Sequence, residues 1–267
     1  MPIAQTNGIN MHYEERGTGE PLILLMGLGA DGSVWEEHVK AYEKHFRCIL
    51  IDNRGSGRSD KPEGPYSTKM MAEDTAGLMK ALGIKKAHVS GISMGSAIAQ
   101  ELALAYPETV TSLILNCPWD QCDNYTTRVF ESFKSLVGTV DVQTFTRNLQ
   151  LWIFTPSYHN DNLEDLLARE ESGKSNPYPM PAHAFQAQCD ACTSHNTVGR
   201  LSQISVPTLV TVGDKDIFTP LHYSERIAKE IPGAQLLVYE GSGHTHHWDR
   251  LQDYNRETLD FLLQHQN

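Results

Sequence analysis

Short apolar runs alternate with longer stretches whose apolar residues recur at helical spacing. Leu22-Ile23-Leu24-Leu25-Met26 and Arg47-Cys48-Ile49-Leu50-Ile51 are nearly unbroken in apolar character, as strands covered on both faces should be. Residues 87–90, 110–115, 207–212 and 235–239 read as further strands. Residues 9–15 alternate apolar and polar, which predicts an early strand near the sheet edge. Helices are predicted over 33–44 with Ser33 as N-cap, over 69–82 ending at Gly83, over 94–106 stopping before Pro107, over 221–231, and over 249–264. Strand-then-helix repetition predicts an α/β fold, a mostly parallel sheet with helices on both faces.

This rhythm breaks after Cys117-Pro118-Trp119. Between 118 and 200 the pattern is helical, in pieces over 125–138, 142–154, 163–171 and 181–191, without a convincing buried strand. It resumes at Pro207. The expected organisation is an α/β core of residues 1–117 and 201–267, with 118–200 inserted as a helical cap.

The chain has 267 residues, 40% hydrophobic and 21% charged, which suits one large globular domain rather than a disordered chain. A formal net charge of −11 repels nucleic acid and anionic membrane, so neither is expected as a partner. No apolar run approaches the length of a membrane span, and the first residues, Met1-Pro2-Ile3-Ala4, have no basic and apolar leader pattern. Five cysteines, an odd number, in a chain of this size favour a reducing compartment. A cytoplasmic protein is therefore expected. Its oligomeric state is left open, with a homodimer among the possibilities.

Gly91-Ile92-Ser93-Met94-Gly95 lies between a predicted strand and a predicted helix. A serine on so sharp a turn needs glycine on both sides, because a Cβ there would clash. The turn lifts Ser93 Oγ to the end of the sheet, beside a helix N-terminus that favours negative charge. A serine hydroxyl needs a base. Of 12 histidines, His244 is preferred, since it follows the Gly241-Ser242-Gly243 turn after a strand, although His246 and His247 are near competitors. The base needs an acid to hold its tautomer. Asp216, in Gly213-Asp214-Lys215-Asp216, is preferred, with Asp214 and Asp120 as alternatives. The N–H groups of Met94 and of Leu28, in Gly27-Leu28-Gly29, are placed to receive an oxyanion.

On these residues, and on Asp52-Asn53-Arg54-Gly55-Ser56-Gly57-Arg58-Ser59, the sequence resembles the α/β-hydrolase superfamily over essentially its whole length. It is similar to the capped bacterial subgroup that includes 3-oxoadipate enol-lactonases, carboxylesterases and C–C bond hydrolases. The resemblance implies an eight-stranded doubly wound sheet, a Ser93–Asp216–His244 triad, an oxyanion hole at Leu28 and Met94, and neither metal nor organic cofactor. Many members carry His-Gly where this chain has Met26-Gly27. That change keeps the backbone donor and loses a polar side chain. A serine nucleophile also speaks against the dehalogenases and epoxide hydrolases that use aspartate.

The expected activity is hydrolysis of a small or medium carboxylic ester or lactone through an acyl-enzyme. C–C hydrolysis of a diketone, amide hydrolysis and perhydrolysis would use the same parts. A rival of another class is a small-molecule receptor with a slow or vestigial triad. Cys189-Asp190-Ala191-Cys192 with His195 has the spacing of half a metal site but no second pair, so inert thiols are expected. Cys117 and Cys122 border the cap without a basic partner in the sequence. Arg54, Arg58 and Asp60 are read as loop-pinning ion pairs rather than substrate contacts. Trp119, Tyr125, Phe133, Trp152 and Phe154 suit cap packing and a substrate pocket equally well.

Overall fold

A computed structural model describes residues 2–266. The outermost residues of the expected core, Met1 and Asn267, lie outside that range. The strands are β1 (Ile3–Thr6), β2 (Ile9–Arg16), β3 (Glu20–Leu25), β4 (Phe46–Ile51), β5 (Ala87–Ile92), β6 (Val110–Asn116), β7 (Thr208–Gly213) and β8 (Gln235–Tyr239). They form one eight-stranded sheet in the order β1-β2-β4-β3-β5-β6-β7-β8. β1 pairs antiparallel with β2, and β2 with β4; the remaining pairings are parallel.

The helices are α1 (Glu36–Tyr42), α2 (Thr68–Ala81), α3 (Met94–Ala105), α4 (Asn124–Leu136), α5 (Val142–Ile153), α6 (Pro156–Asp161), α7 (Leu163–Lys174), α8 (Ala182–Ser194), α9 (Leu221–Glu230), α10 (His246–Asp249) and α11 (Leu251–Gln264). Successive side chains of a strand face opposite sides, and β3 divides accordingly. Leu22 and Leu24 join Trp35, Tyr42, Phe261 and Leu262 on one face, under α1 and α11. Ile23 and Leu25 join Met71, Leu78, Ile98, Leu102 and Ile227 on the other, under α2, α3 and α9. The sheet is therefore covered on both sides, which is why its central strands read as continuous apolar runs.

Several expected boundaries move for local reasons. Asp31, not Ser33, caps the first helical segment: its carboxylate accepts from Ser33 N–H, and the segment opens as a 3₁₀ turn over Gly32–Trp35. The last helix is two, α10 and α11, joined at Arg250. β1 and α6 have too few residues for a period to show. Five helices, α4 to α8, fill the connection between β6 and β7. α8 packs on α4, joined by the Lys134–Asp190 ion pair, and its Phe185 meets Phe145 of α5 edge to face. Among the described residues no helix is long and apolar enough to cross a membrane.

Candidate active site

The carboxyl ends of β3, β5, β6 and β7 open on one edge of the sheet, where doubly wound folds place their ligands. Ser93 follows β5 with φ +55° and ψ −118°, a conformation that a side chain adopts only under strain. Its N–H donates to Asn116 O of β6 at 2.9 Å, and its carbonyl accepts from Ser96 N and Ser96 Oγ, so the turn is held from both sides. The flanking glycines are steric necessities. A Cβ on Gly91 would overlap the backbone of Gly95, and one on Gly95 would overlap Leu25 O.

Asp216 lies in the loop after β7 and is buried. Its Oδ1 accepts from Phe218 N at 2.8 Å and Thr219 N at 2.9 Å; its Oδ2 accepts from Thr219 Oγ1 at 2.9 Å and His244 Nδ1 at 2.7 Å. Four donors fix this carboxylate, and it fixes the histidine. Burial pushes the His244 pKa down, the facing Asp216 carboxylate pushes it up, and the net direction is well above the usual histidine value.

The competing candidates are bound elsewhere. Asp120 pairs with Arg226 Nε at 2.6 Å. Asp214 pairs with Lys215 Nζ at 2.7 Å and accepts from Gly241 N. His246 Nε2 meets Thr211 Oγ1 at 2.8 Å, and His247 Nδ1 meets His38 Nε2 at 3.2 Å.

Ser93 and His244 line one cavity of about 140 Å³, together with Gly27, Leu28, Val34, Leu149, Phe218 and Trp248. No hydrogen bond joins the two. His244 Nε2 lies 3.7 Å from Cys117 Sγ instead. Cys117 follows β6 at φ +44°, and burial pushes its pKa up, so it stands there as a thiol. No basic residue stands near this cysteine in the sequence; a pairing across 127 positions has no local trace. Nucleophile–base contacts are often loose before substrate arrives. The N–H groups of Leu28 and Met94 find no acceptor among the described residues, and Gly27 backs directly onto Ser93.

Cys117, Asp216 and His244 offer donor atoms within 4.8 Å of one another. Asp216 is saturated by its four hydrogen bonds, which leaves one thiol and one imidazole nitrogen, half of a tetrahedral set. Cys189 and Cys192 are buried on α8, burial pushes both thiols up, and His195 Nδ1 is taken by Thr68 Oγ1 at 2.9 Å.

The Gly-rich loop after β4 is pinned from within. Asp52 accepts from His12 Nδ1, Gly32 N and Arg58 N. Arg54 is paired with the buried Asp74, Arg58 with Glu14, and Asp60 accepts from Asn10. A polar cavity of about 470 Å³ between this loop and residues 172–178 contains neither Ser93 nor His244. Gln188 of α8 ties the helical insertion to the site: it accepts from Gly29 N at 3.0 Å and donates to Arg54 O and Ser56 Oγ. Nothing around Gln188 in the sequence marks this. Trp119 packs on Phe130 and Phe133 on Phe218, and of these four only Phe218 reaches the wall of the Ser93 cavity.

Sheet order, strained serine turn and the histidine–aspartate pair together define an α/β-hydrolase. The family model for the alpha/beta hydrolase fold matches residues 20–251, and the chain belongs to that family. The RutD protein of Azorhizobium caulinodans, which bears the name of a carbamate hydrolase, is 30% identical over 91% of each chain. A 2-hydroxy-6-oxo-6-phenylhexa-2,4-dienoate hydrolase from Comamonas testosteroni is 30% identical over 95% of this chain and 91% of its own. The crystal structure of the enol-lactonase from Burkholderia xenovorans LB400 superposes with a TM-score of 0.89 at 25% identity, over 98% of this chain and all of that one.

Proposed function

We propose that the chain is a serine hydrolase that cleaves a small carboxylic ester or lactone through an acyl-enzyme. The observation that carries this is a serine on a strained strand-to-helix turn sharing one cavity with a histidine held at 2.7 Å by a buried aspartate. In this reading Ser93 attacks the carbonyl. His244 takes the Ser93 proton, gives it to the leaving group and then activates water. Asp216 keeps Nδ1 protonated and Nε2 free, and balances the imidazolium charge. The N–H groups of Leu28 and Met94 hold the oxyanion. Residues 118–200 act as a cap that covers the site through Leu149, Ile153 and Gln188 and selects the substrate. No step draws on a metal or an organic cofactor.

The cavity supports a small substrate, for an apolar hole of about 150 Å³ in another protein takes a guest the size of benzene. Its largely aliphatic and aromatic wall favours an uncharged group there. A second reading, C–C hydrolysis, is supported by the name of the Comamonas relative, and the same residues would serve it. A panel of p-nitrophenyl esters and simple lactones, compared between the wild type and Ser93→Ala, tests the proposal. Turnover lost in the variant supports it. A folded wild type that turns over no ester and ignores a fluorophosphonate probe refutes it and favours a receptor. Probe labelling without ester turnover favours the C–C reading.

A further inference from the structure

The buried histidines around α10 have no part in the chemistry above, yet one of them reaches the substrate cavity. His247 lines its wall beside Trp248 and Val34. Its Nδ1 lies 3.2 Å from His38 Nε2, and His38 Nδ1 lies 2.6 Å from Asn255 Oδ1. Asn255 is oriented by its Nδ2, which donates to Glu37 O at 3.4 Å, so its oxygen faces His38. An amide oxygen only accepts. His38 therefore carries its proton on Nδ1, and its bare Nε2 accepts from His247 Nδ1. Burial pushes the pKa of His38 down to about 4 and that of His247 well below the usual value, so both rings are neutral. The remaining nitrogen, His247 Nε2, is left with a lone pair.

That nitrogen has no hydrogen-bond partner among the described residues. The unpartnered ring nitrogens of His195 and His246 are sealed in the interior, whereas His247 belongs to the wall of the cavity. Thr245, a further polar wall residue, is engaged with Ile153 O and Asp249. We propose that His247 Nε2 is a preset hydrogen-bond acceptor in the substrate cavity, and that the enzyme selects substrates bearing a hydroxyl or N–H on the group that enters it. This rests on the proposal that the Ser93 cavity takes the substrate. A guest with a donor satisfies the lone pair. A guest of the same shape without one leaves it unpaired in an apolar wall, and sites built this way discriminate strongly.

Two measurements test this without needing turnover, and a third uses it. ¹⁵N NMR of histidine-labelled wild type should show the Nδ1–H tautomer for both His38 and His247; a proton on His247 Nε2 overturns the proposal. The Kd ratio of fluorobenzene to phenol, read by NMR titration, should fall about tenfold or more from wild type to His247→Phe. Taking that ratio in both proteins cancels the different water affinities of the two probes. The kcat/KM ratio of p-nitrophenyl 3-hydroxybutyrate to p-nitrophenyl 3-methylbutyrate should fall likewise. An unchanged ratio in either pair refutes the acceptor role. If neither ester is cleaved while the tautomer and the phenol preference hold, the esterase reading fails and the acceptor stands.

Discussion

Replacing Asp216 by Asn changes one atom and reverses the hydrogen-bond logic of the site. The Asn oxygen can keep the two N–H donors of Phe218 and Thr219 that Oδ1 now serves. The amide nitrogen then stands where Oδ2 accepts from His244 Nδ1 at 2.7 Å and from Thr219 Oγ1 at 2.9 Å. An NH₂ group donates, so His244 must turn Nδ1 into an acceptor and move its proton to Nε2. A protonated Nε2 cannot take the Ser93 proton. The same exchange in another serine hydrolase costs about 10⁴ in kcat, or about 5 kcal/mol of barrier. The pH profile supplies a second reading. Asp216 is the opposing charge that holds the His244 pKa well above its usual value against burial. Activity of the wild type should therefore rise with pH through a midpoint above about 6.5, as His244 loses its proton. In Asp216→Asn the residual activity should have its acid limb at lower pH. The assay is steady-state hydrolysis of the best p-nitrophenyl ester from pH 5 to 9, with circular dichroism as the folding control. Asp214→Asn, whose side chain serves Lys215 and Gly241, should stay within about twofold. Retention of kcat within tenfold in folded Asp216→Asn, or an equal loss in Asp214→Asn, would refute the assignment.

Four further outcomes follow from the same contacts. Cys117→Ala removes the thiol that competes for His244 Nε2, so kcat should rise about two- to fivefold, the worth of one weak hydrogen bond; a loss of more than tenfold in folded protein would mean that the thiol holds the ring in its productive place. His195 is pushed by burial down to a pKa of about 4. The unfolded chain takes up that proton from about pH 6.5 downward and the folded chain does not, so stability is lost as pH falls through this window, by about 3 kcal/mol for this ring. Thermal melts of His195→Gln should show a correspondingly shallower decline between pH 6.5 and 4. Gln188→Leu leaves Gly29 N, Arg54 O and Ser56 Oγ without partners; urea unfolding should show a loss of about 1–3 kcal/mol and kinetics a raised KM, whereas an unchanged KM would deny Gln188 a role in seating the cap. Gly95→Ala would drive its Cβ into Leu25 O in the middle of the sheet, so no soluble folded protein is expected on expression.

The local signals in this chain determined a good deal. Unbroken apolar runs located the central strands, because a strand covered on both faces tolerates no polar alternation. Gly91 and Gly95 located the serine turn, since a sharp turn packed against backbone excludes a Cβ whatever surrounds it. The order of Ser93, Asp216 and His244 along the chain was legible for the same reason: each stands just past a strand end, and the ends of parallel strands converge. Other features had no local signature. The 3₁₀ start at Gly32 was decided by the Asp31 carboxylate outcompeting Ser33 as a cap. β1 is four residues long and exists through its pairing with β2. Asp216 was separated from Asp120 only by tertiary contact, because Arg226, 106 positions away, claims Asp120. Cys117 against His244, Gln188 across Gly29 and Arg54, and the relay from Asn255 through His38 to His247 join residues more than 100 positions apart. Sequence periodicity reports which face of an element is buried. It carries no record of which distant side chain arrives there, and in this protein those arrivals set the protons of the site.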